Sequence, residues 1–233
     1  MTRTAENYLN FCSMPDNKIL ASTQIAMLEA LGRETFFKSN FYLTGGTALA
    51  GFYLQHRYSE DLDFFSMNEV DTLPIVSFFQ ANKNKFGIKN IDIQTSMNRN
   101  LFFLGIGNEV LKTEFTYFPF AQIDKGQEQF GLQIDSIKDI ATNKLFTIYQ
   151  RSKARDYIDL YCISQKYAWS IEQLTAWARL KFDWHIDPVQ LANQFVKAKT
   201  VQDYPRMIAK VNEADWQDFF QAEALKLKPK ILE

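Results

Sequence analysis

Apolar residues fall at helical spacing over residues 16–31, DNKILASTQIAMLEAL, where Ile19, Leu20, Ile25, Leu28 and Leu31 predict a helix. The next segments are shorter. FYLT (Phe41–Thr44) is β-prone, TALAGFYLQ (Thr47–Gln55) reads as a helix, and DLDFF (Asp61–Phe65) reads as a strand. In DTLPIVSFFQANKNKF, Asp71 is placed to cap a helix and Pro74 falls within its first turn. IKNIDIQTS alternates like a strand, and NLFFLGIGNEVLKTEFTYF predicts a hairpin turning at Gly107-Asn108.

From Ser136 onward the period is helical. SIKDIATNKLFTIYQR opens with Ser136 and, three residues on, Asp139, in the manner of a capping box. ARDYIDLYCISQKY, SIEQLTAWARLKF, DPVQLANQFVKA and EADWQDFFQAEALKLK also read as helices, and no strand is predicted among them. The expectation is an α+β protein, with an α/β part over residues 1–135 and an all-helical part over residues 136–233. No repeat and no low-complexity linker separates the parts, so they are expected to pack closely.

Composition narrows the function classes. Of 233 residues 46% are apolar, enough for a substantial core. A net charge of −1 gives no bulk pull on nucleic acid, so any such contact must come from a local basic patch. Cys12 and Cys162 lie far apart without metal-ligand spacing and read as idle thiols in a reducing compartment. The first residues, MTRTAENYLN, lack the apolar core of a signal peptide, and no run approaches a membrane span. A cytoplasmic location is expected. With only His56 and His185, a His-rich metal site or a Ser-His-Asp triad has few candidates.

The chemistry concentrates in YLTGGTALAGFYLQHRYSEDLDFF, Tyr42 to Phe65. Residues two apart on a strand share a face and lie roughly 6.5 Å apart, so Asp61 and Asp63 point together while Leu62 and Phe64 point into a core. Two such carboxylates repel each other and suit a hard cation such as Mg²⁺, which shares oxygen ligands with substrate phosphates. Alone, the pair reads more simply as an edge strand with two solvated aspartates. Gly45 and Gly46 change that weighting. They sit between a predicted strand and a predicted helix, where bare backbone and a helix N-terminus can approach a phosphate. Thr47 can cap that helix or donate its hydroxyl, and Gly51 reads as a packing contact of helix against strand. Neither a P-loop nor a G-x-G-x-x-G fingerprint is present. A phosphate cradle followed one helix later by a carboxylate pair is the layout that nucleotidyl transfer requires: glycines for the triphosphate, carboxylates for the bridging cation.

LTGGTALA with HRYSEDLDF resembles the signature of the polymerase-β-like nucleotidyltransferases, and within them the AbiEii/AbiGii toxin family. The matching positions are Gly45, Gly46, Thr47, His56, Arg57, Ser59, Asp61 and Asp63. KLFTIYQRSKARDYIDLY is similar to that family's later motifs through Lys144, Arg151, Lys153, Arg155, Asp156 and Asp159. The resemblance covers roughly residues 40–165. It implies a mixed sheet, one or two Mg²⁺ ions, and transfer of a nucleoside monophosphate from an NTP to an acceptor hydroxyl. It also implies a toxin of a toxin–antitoxin or phage-defence system, a cognate antitoxin protein, and an RNA acceptor such as tRNA. With tRNA as acceptor, the basic positions to expect at it are Lys144–Arg155 together with Lys226, Lys228 and Lys230. Transfer to a small molecule or protein, or a binding module without turnover, are the alternatives.

The residues themselves add detail. Lys144 lies on the apolar stripe Ile137, Ile140, Ala141, Leu145, Ile148, so it needs an anion or an exit to water, and a nucleotide phosphate is the expected anion. Asp156 and Asp159 lie one turn apart on a helix. Asp159 is expected to orient Lys144 or the acceptor, and Arg155 with Asp156 to act there or to form a structural ion pair. A third carboxylate, which such sites carry on a neighbouring strand, is expected at Glu114, with Lys112 on the same strand face and antiparallel pairing bringing Glu114 to Asp61 and Asp63. It would ligate metal and take the attacking hydroxyl's proton. Arg57 and Ser59 are expected at the nucleotide, Arg57 alternatively pairing with Asp61 or Glu60. His56 is expected to cap the preceding helix. The abundant phenylalanines are core, with one ring near the site free to stack on a base.

Overall fold

The computed structural model describes residues 19–228. A seven-stranded mixed sheet forms the centre, in the order β3-β4-β5-β2-β1-β7-β6. Its strands are β1 (Tyr42–Thr44), β2 (Leu62–Ser66), β3 (Ile88–Ser96), β4 (Arg99–Ile106), β5 (Glu109–Tyr117), β6 (Gln127–Gln129) and β7 (Leu132–Ile134). Before and between them run α1 (Ser22–Leu31), α2 (Thr35–Asn40), α3 (Gly45–Leu49), α4 (Thr72–Ala81) and α5 (Lys83–Phe86). The remaining helices are α6 (Ile137–Gln150), α7 (Ala154–Tyr167), α8 (Ile171–Phe182), α9 (Pro188–Val196) and α10 (Glu213–Lys226).

The helix ends follow from local chemistry. Asp71 caps α4 by accepting from Leu73 N at 2.9 Å, Ser136 caps α6 through Asp139 N, and Asp187 caps α9 ahead of Pro188. The β4–β5 hairpin turns at Gly107-Asn108 as expected, with Ile106 opposite Glu109 and Gly107 in the left-handed region. Ser136 and Asp139 do not complete a capping box. The Asp139 carboxylate instead accepts from Ile123 N, Asp124 N and the buried Lys181 ammonium, tying α6 to the loop before it and to α8.

Several elements differ from expectation. The helix expected over 16–31 starts at Ser22, because Gln24 Oε1 accepts from Ala21 N and closes the N-terminus there; residues 16–18 lie outside the described residues. Ile19 and Leu20 are buried ahead of it, and Leu20 rather than a strand packs on Gly51. The helix expected from Thr47 starts at Gly45 and continues as a π-helical turn over Ala50–Leu54. Strands β6 and β7 were not expected. Each has three residues, too few for alternation to register, and β7 gains its place through parallel pairing with β1.

The core lies between the sheet and its helices. Phe64 and Phe115, partners on adjacent strands, stack at 5.0 Å, and Phe37, Phe41 and Phe102 meet the Phe115 ring edge-on or tilted. Burying such rings is worth about 2–3 kcal/mol each. In the helical part Leu145, Ile148, Tyr157 and Leu160 join the same continuous core, so α6 and α7 are held against the sheet.

Candidate active site

The site is an open cleft of about 420 Å³ between the sheet and α6–α7. From the strand side it is lined by Thr44, Gly45, Gly46, Arg57, Ser59, Asp61, Asp63, Lys112 and Glu114, and from the helices by Asn143, Lys144, Arg151, Arg155 and Asp156. Residues expected from two separate stretches of sequence therefore meet in one place.

Asp61 precedes β2 and Asp63 lies on it; both line the cleft, while Leu62 and Phe64 are buried behind. The two carboxylates have different surroundings. Asp61 Oδ2 accepts from Lys112 Nζ at 2.9 Å. Asp63 has no ion pair or side-chain hydrogen bond among the described residues. Burial, then Glu114, then Asp61 push its carboxyl up to about 6.

Glu114 stands beside Asp63 in register, but β5 pairs with β2 in parallel, not antiparallel. Its antiparallel partner is β4. Arg99 of β4 grips both Glu114 oxygens, Nε on Oε1 at 2.6 Å and Nη2 on Oε2 at 2.7 Å, and the Thr116 hydroxyl donates to Oε1 at 2.8 Å. Burial acts to raise the Glu114 carboxyl, yet these bonds hold it below its ordinary value, which makes it a poor proton acceptor. Among the described residues no three His, Cys, Asp or Glu side chains converge on one metal-holding point.

The glycines are required by their own neighbours. Gly45 has φ +73°, and a Cβ there would lie 2.5 Å from Asp63 Oδ2. A Cβ on Gly46 would lie 2.6 Å from Arg57 Nη2 and 2.9 Å from Ser59 Oγ. Thr47 is fully buried, does not line the cleft, and donates its hydroxyl to the Asp61 carbonyl. It thus sets the backbone that carries Asp61, and its side chain stands behind the cleft rather than at the position expected for a nucleotide contact.

Lys144 is buried, as its place on the apolar stripe predicted, but its anions are the protein's own: Asp156 Oδ1 at 2.7 Å and Asp159 Oδ2 at 2.6 Å. Burial would lower its pKa, and Asp159 and Asp156 overcome that and raise it, so it stays an ammonium. Asp159 has no exposed surface and does not line the cleft. It accepts from His56 Nε2 at 2.8 Å and from Arg57 Nε and Nη2 at 2.6 and 2.8 Å. Burial acts to raise its carboxyl, but Lys144 and Arg57 hold it well below the usual range. Asp159 is thus a positioning residue for Lys144 and Arg57 rather than a catalytic one. Arg57 pairs with it and not with Asp61 or Glu60. His56 does not cap the preceding helix; its imidazole is on Asp159 and its carbonyl accepts from Ile208 N and Ala209 N. Arg155 is exposed at the cleft rim with no ion pair among the described residues, while Asp156 takes the structural role. Lys226 pairs with Glu223 and, like Lys228, lies away from the cleft lining; Lys230 lies outside the described residues.

Arg99, Thr116, Phe118 and, behind the cleft, Asp135 carried no sequence signal, whereas Phe65 is one of the rings from which a base-stacking partner was expected. Arg99 and Thr116 reach Glu114 only through strand register. Asp135, fully buried, accepts from the Thr44 hydroxyl at 2.7 Å, from Gln122 at 2.7 Å and from Asn143 at 3.4 Å, steadying two cleft-lining residues from behind. Phe65 and Phe118, stacked at 4.3 Å, give the cleft an apolar wall.

The model of the family described as nucleotidyl transferase AbiEii toxin of type IV toxin–antitoxin systems matches residues 28–99 and 102–229. The chain belongs to the AbiEii nucleotidyltransferase toxin family. An uncharacterized protein of Aquifex aeolicus (strain VF5) is 31% identical over 144 residues, 62% of this chain and 67% of that one. In fold, the chain is similar to JHP933 from Helicobacter pylori, with a TM-score of 0.56, 20% identity, and 89% and 90% of the two chains covered. It is also similar to MenT4, a nucleotidyltransferase toxin from Mycobacterium tuberculosis H37Rv, with a TM-score of 0.51, 15% identity, and 88% and 82% covered. As an AbiEii member the chain is a nucleotidyltransferase, and the cleft that gathers both of its motif clusters is where that activity is to be sought. Among the described residues no helix is long and apolar enough to cross a membrane.

Proposed function

We propose that this AbiEii protein transfers a nucleoside monophosphate from an NTP to a hydroxyl of RNA, with tRNA as the first acceptor to examine, and that a divalent cation, Mg²⁺ in the cell, is bound by Asp61 and Asp63. The reading divides the chain into a nucleotidyltransferase part, residues 1–135, and a helical part, 136–233, that completes the site.

The observation that carries it is Asp63. It is a carboxylate in the cleft with no cation of its own, pushed up to about 6 by burial and by Glu114 and Asp61, and it faces Gly45 where only a glycine fits. Such a group is stabilised by a hard cation with oxygen ligands, so the donor set fits Mg²⁺. Bound there, the cation supplies neutralisation of the triphosphate and of the departing pyrophosphate. Glu114 fits less well as a ligand, since Arg99 and Thr116 already occupy it.

The chain's own residues account for the rest. Lys144 and Arg57, fixed by Asp159, present positive charge to the triphosphate at the floor of the cleft. Gly46 leaves room for Arg57 and Ser59 at that floor. Phe65 and Phe118 offer an apolar surface to the base. In the reaction, the acceptor oxygen bonds to the α-phosphorus, the bond from the α-phosphorus to the bridging oxygen breaks, pyrophosphate leaves, and the hydroxyl proton passes to solvent through the open cleft. Arg151 and Arg155 at the rim are suited to acceptor phosphates.

The test incubates purified protein, and an Asp61→Ala/Asp63→Ala double variant, with Mg²⁺, each labelled NTP and total bacterial RNA. Labelled RNA from the wild type alone supports the reading. Label in protein or small molecules would reassign the acceptor. No product despite nucleotide binding would make the protein a binding module.

A further inference from the structure

The cleft carboxylates face unequal company. Lys112 Nζ sits 2.9 Å from Asp61 Oδ2 and 3.8 Å from Glu114 Oε2. Arg99 spans both Glu114 oxygens at 2.6 and 2.7 Å. Asp63 alone of the three has no cation against it among the described residues. Two fixed cations therefore serve both oxygens of Glu114 and one oxygen, Oδ2, of Asp61, which leaves Asp63 and the other Asp61 oxygen for a further ion.

This arrangement is built into the sheet. Lys112, Glu114 and Thr116 alternate along β5 and so share the cleft face. Arg99 stands opposite Thr116 on β4, one diagonal step from Glu114, which is the reach a guanidinium needs to fork onto it. Lys112 and Asp61 are only 23% and 33% exposed, so their pair is screened less than one on the open surface.

Two cations bracketing a reacting phosphate are the usual device of metal-dependent phosphoryl transfer. Here a second ion bridging Asp61 and Glu114 would have to displace the Lys112 ammonium and open the Arg99 fork. Resting on the reading that Asp61 and Asp63 hold a divalent cation, we propose that the cleft takes a single divalent ion and that Lys112, with Arg99, stands in for a second. A lysine in that place is a permanent, singly charged counter-ion that never has to be loaded.

The test counts metal without turnover. Mn²⁺ binding is followed by electron paramagnetic resonance in the full chain with a non-hydrolysable α,β-methylene NTP. The wild type is expected to bind one Mn²⁺ per chain. A Lys112→Met/Arg99→Met double variant is expected to bind two, and Lys112→Gln, which keeps the Arg99 fork, is expected to admit a second ion at least tenfold more weakly than the first. Two ions in the wild type, or one ion in every folded variant, would overturn the proposal. No Mn²⁺ bound in the wild type with nucleotide present would overturn the divalent-cation reading itself, and this inference with it. Should the double variant not fold, the wild-type count and Lys112→Gln still decide.

Discussion

Arg57, on the segment leading into β2, is held in a two-pronged ion pair by Asp159 of α7, Nε to Oδ1 at 2.6 Å and Nη2 to Oδ2 at 2.8 Å. The same carboxylate holds Lys144 and His56, and none of its surface is exposed. Removing it strands buried positive charge. Asp159→Asn is expected to cost about 3–5 kcal/mol, measured by chemical denaturation at pH 7. Because the folded carboxyl lies well below its ordinary value, this contribution is complete above the unfolded pKa and is lost only as pH falls through the folded one. A cost under about 1 kcal/mol would mean that the cluster merely offsets its own desolvation.

Gly45→Ala is expected to abolish nucleotidyl transfer. The new methyl would meet Asp63 Oδ2 at 2.5 Å in a backbone with φ +73°. Gly87 separates the two effects: its φ is +63°, but nothing lies within 4 Å of an added Cβ. Gly87→Ala should lose about 1 kcal/mol of stability for the left-handed strain and keep its activity. Comparing kcat and melting temperature for the pair checks this, and equal loss of activity in both would dismiss the role given to Asp63.

Thr47→Val keeps the side-chain volume and removes the hydroxyl that the Asp61 carbonyl accepts. We expect a stability loss of about 1–2 kcal/mol and a fall in kcat of tenfold or more, with KM for the NTP little changed. A rise in KM alone would point instead to a nucleotide contact.

Asp135 gives a pH signature. Burial, more than its neighbours, pushes its carboxyl up to about 6, above the ordinary 3.8. The folded protein therefore holds this proton more tightly than the unfolded chain, so stability falls as pH rises from about 4 to about 6 and levels off above. Asp135→Asn should flatten that slope by about 3 kcal/mol across the window. Asp63, also raised, contributes equally in both proteins, so the difference between their pH–stability curves isolates Asp135. Parallel curves would refute the assignment.

Arg155 is exposed on the cleft rim and free of ion pairs among the described residues. If the acceptor is RNA, Arg155→Ala should weaken RNA binding and reduce the slope of log affinity against log salt by about 1, leaving stability within about 0.5 kcal/mol of the wild type. An unchanged slope would remove Arg155 from the acceptor path.

Much of this was legible in the chain because the signals are local. The period-2 run of β5, the Gly107-Asn108 turn, the caps at Asp71 and Ser136, and the Asp61–Asp63 pair each lie within a few residues. What escaped depends on pairing across the sequence. That β5 runs parallel to β2 is decided by strand order and not by any residue of β5. Arg99 finds Glu114 only after β4 and β5 come into register, and Asp159 finds Arg57 across 102 positions. Lys144 shows the limit from the other side. Its burial was readable from the apolar stripe and its pairing with Asp159 was among the expectations, but that Asp156 would share the ammonium depends on how α7 packs against α6.

One late stretch of chain backs the earliest part of the site. Between α9 and α10, Met207 bridges to Arg57, Tyr58 N donates to the Arg206 carbonyl, and His56 O accepts from Ile208 N and Ala209 N. During synthesis the glycines and both aspartates leave the ribosome some hundred and fifty residues before this brace does, and α7, which carries Asp159, also follows them. The cleft is therefore finished from its far end. A chain that stops before residue 206 lacks the backbone partners of His56, Arg57 and Tyr58, so the segment that carries Arg57 into the cleft is left without its brace.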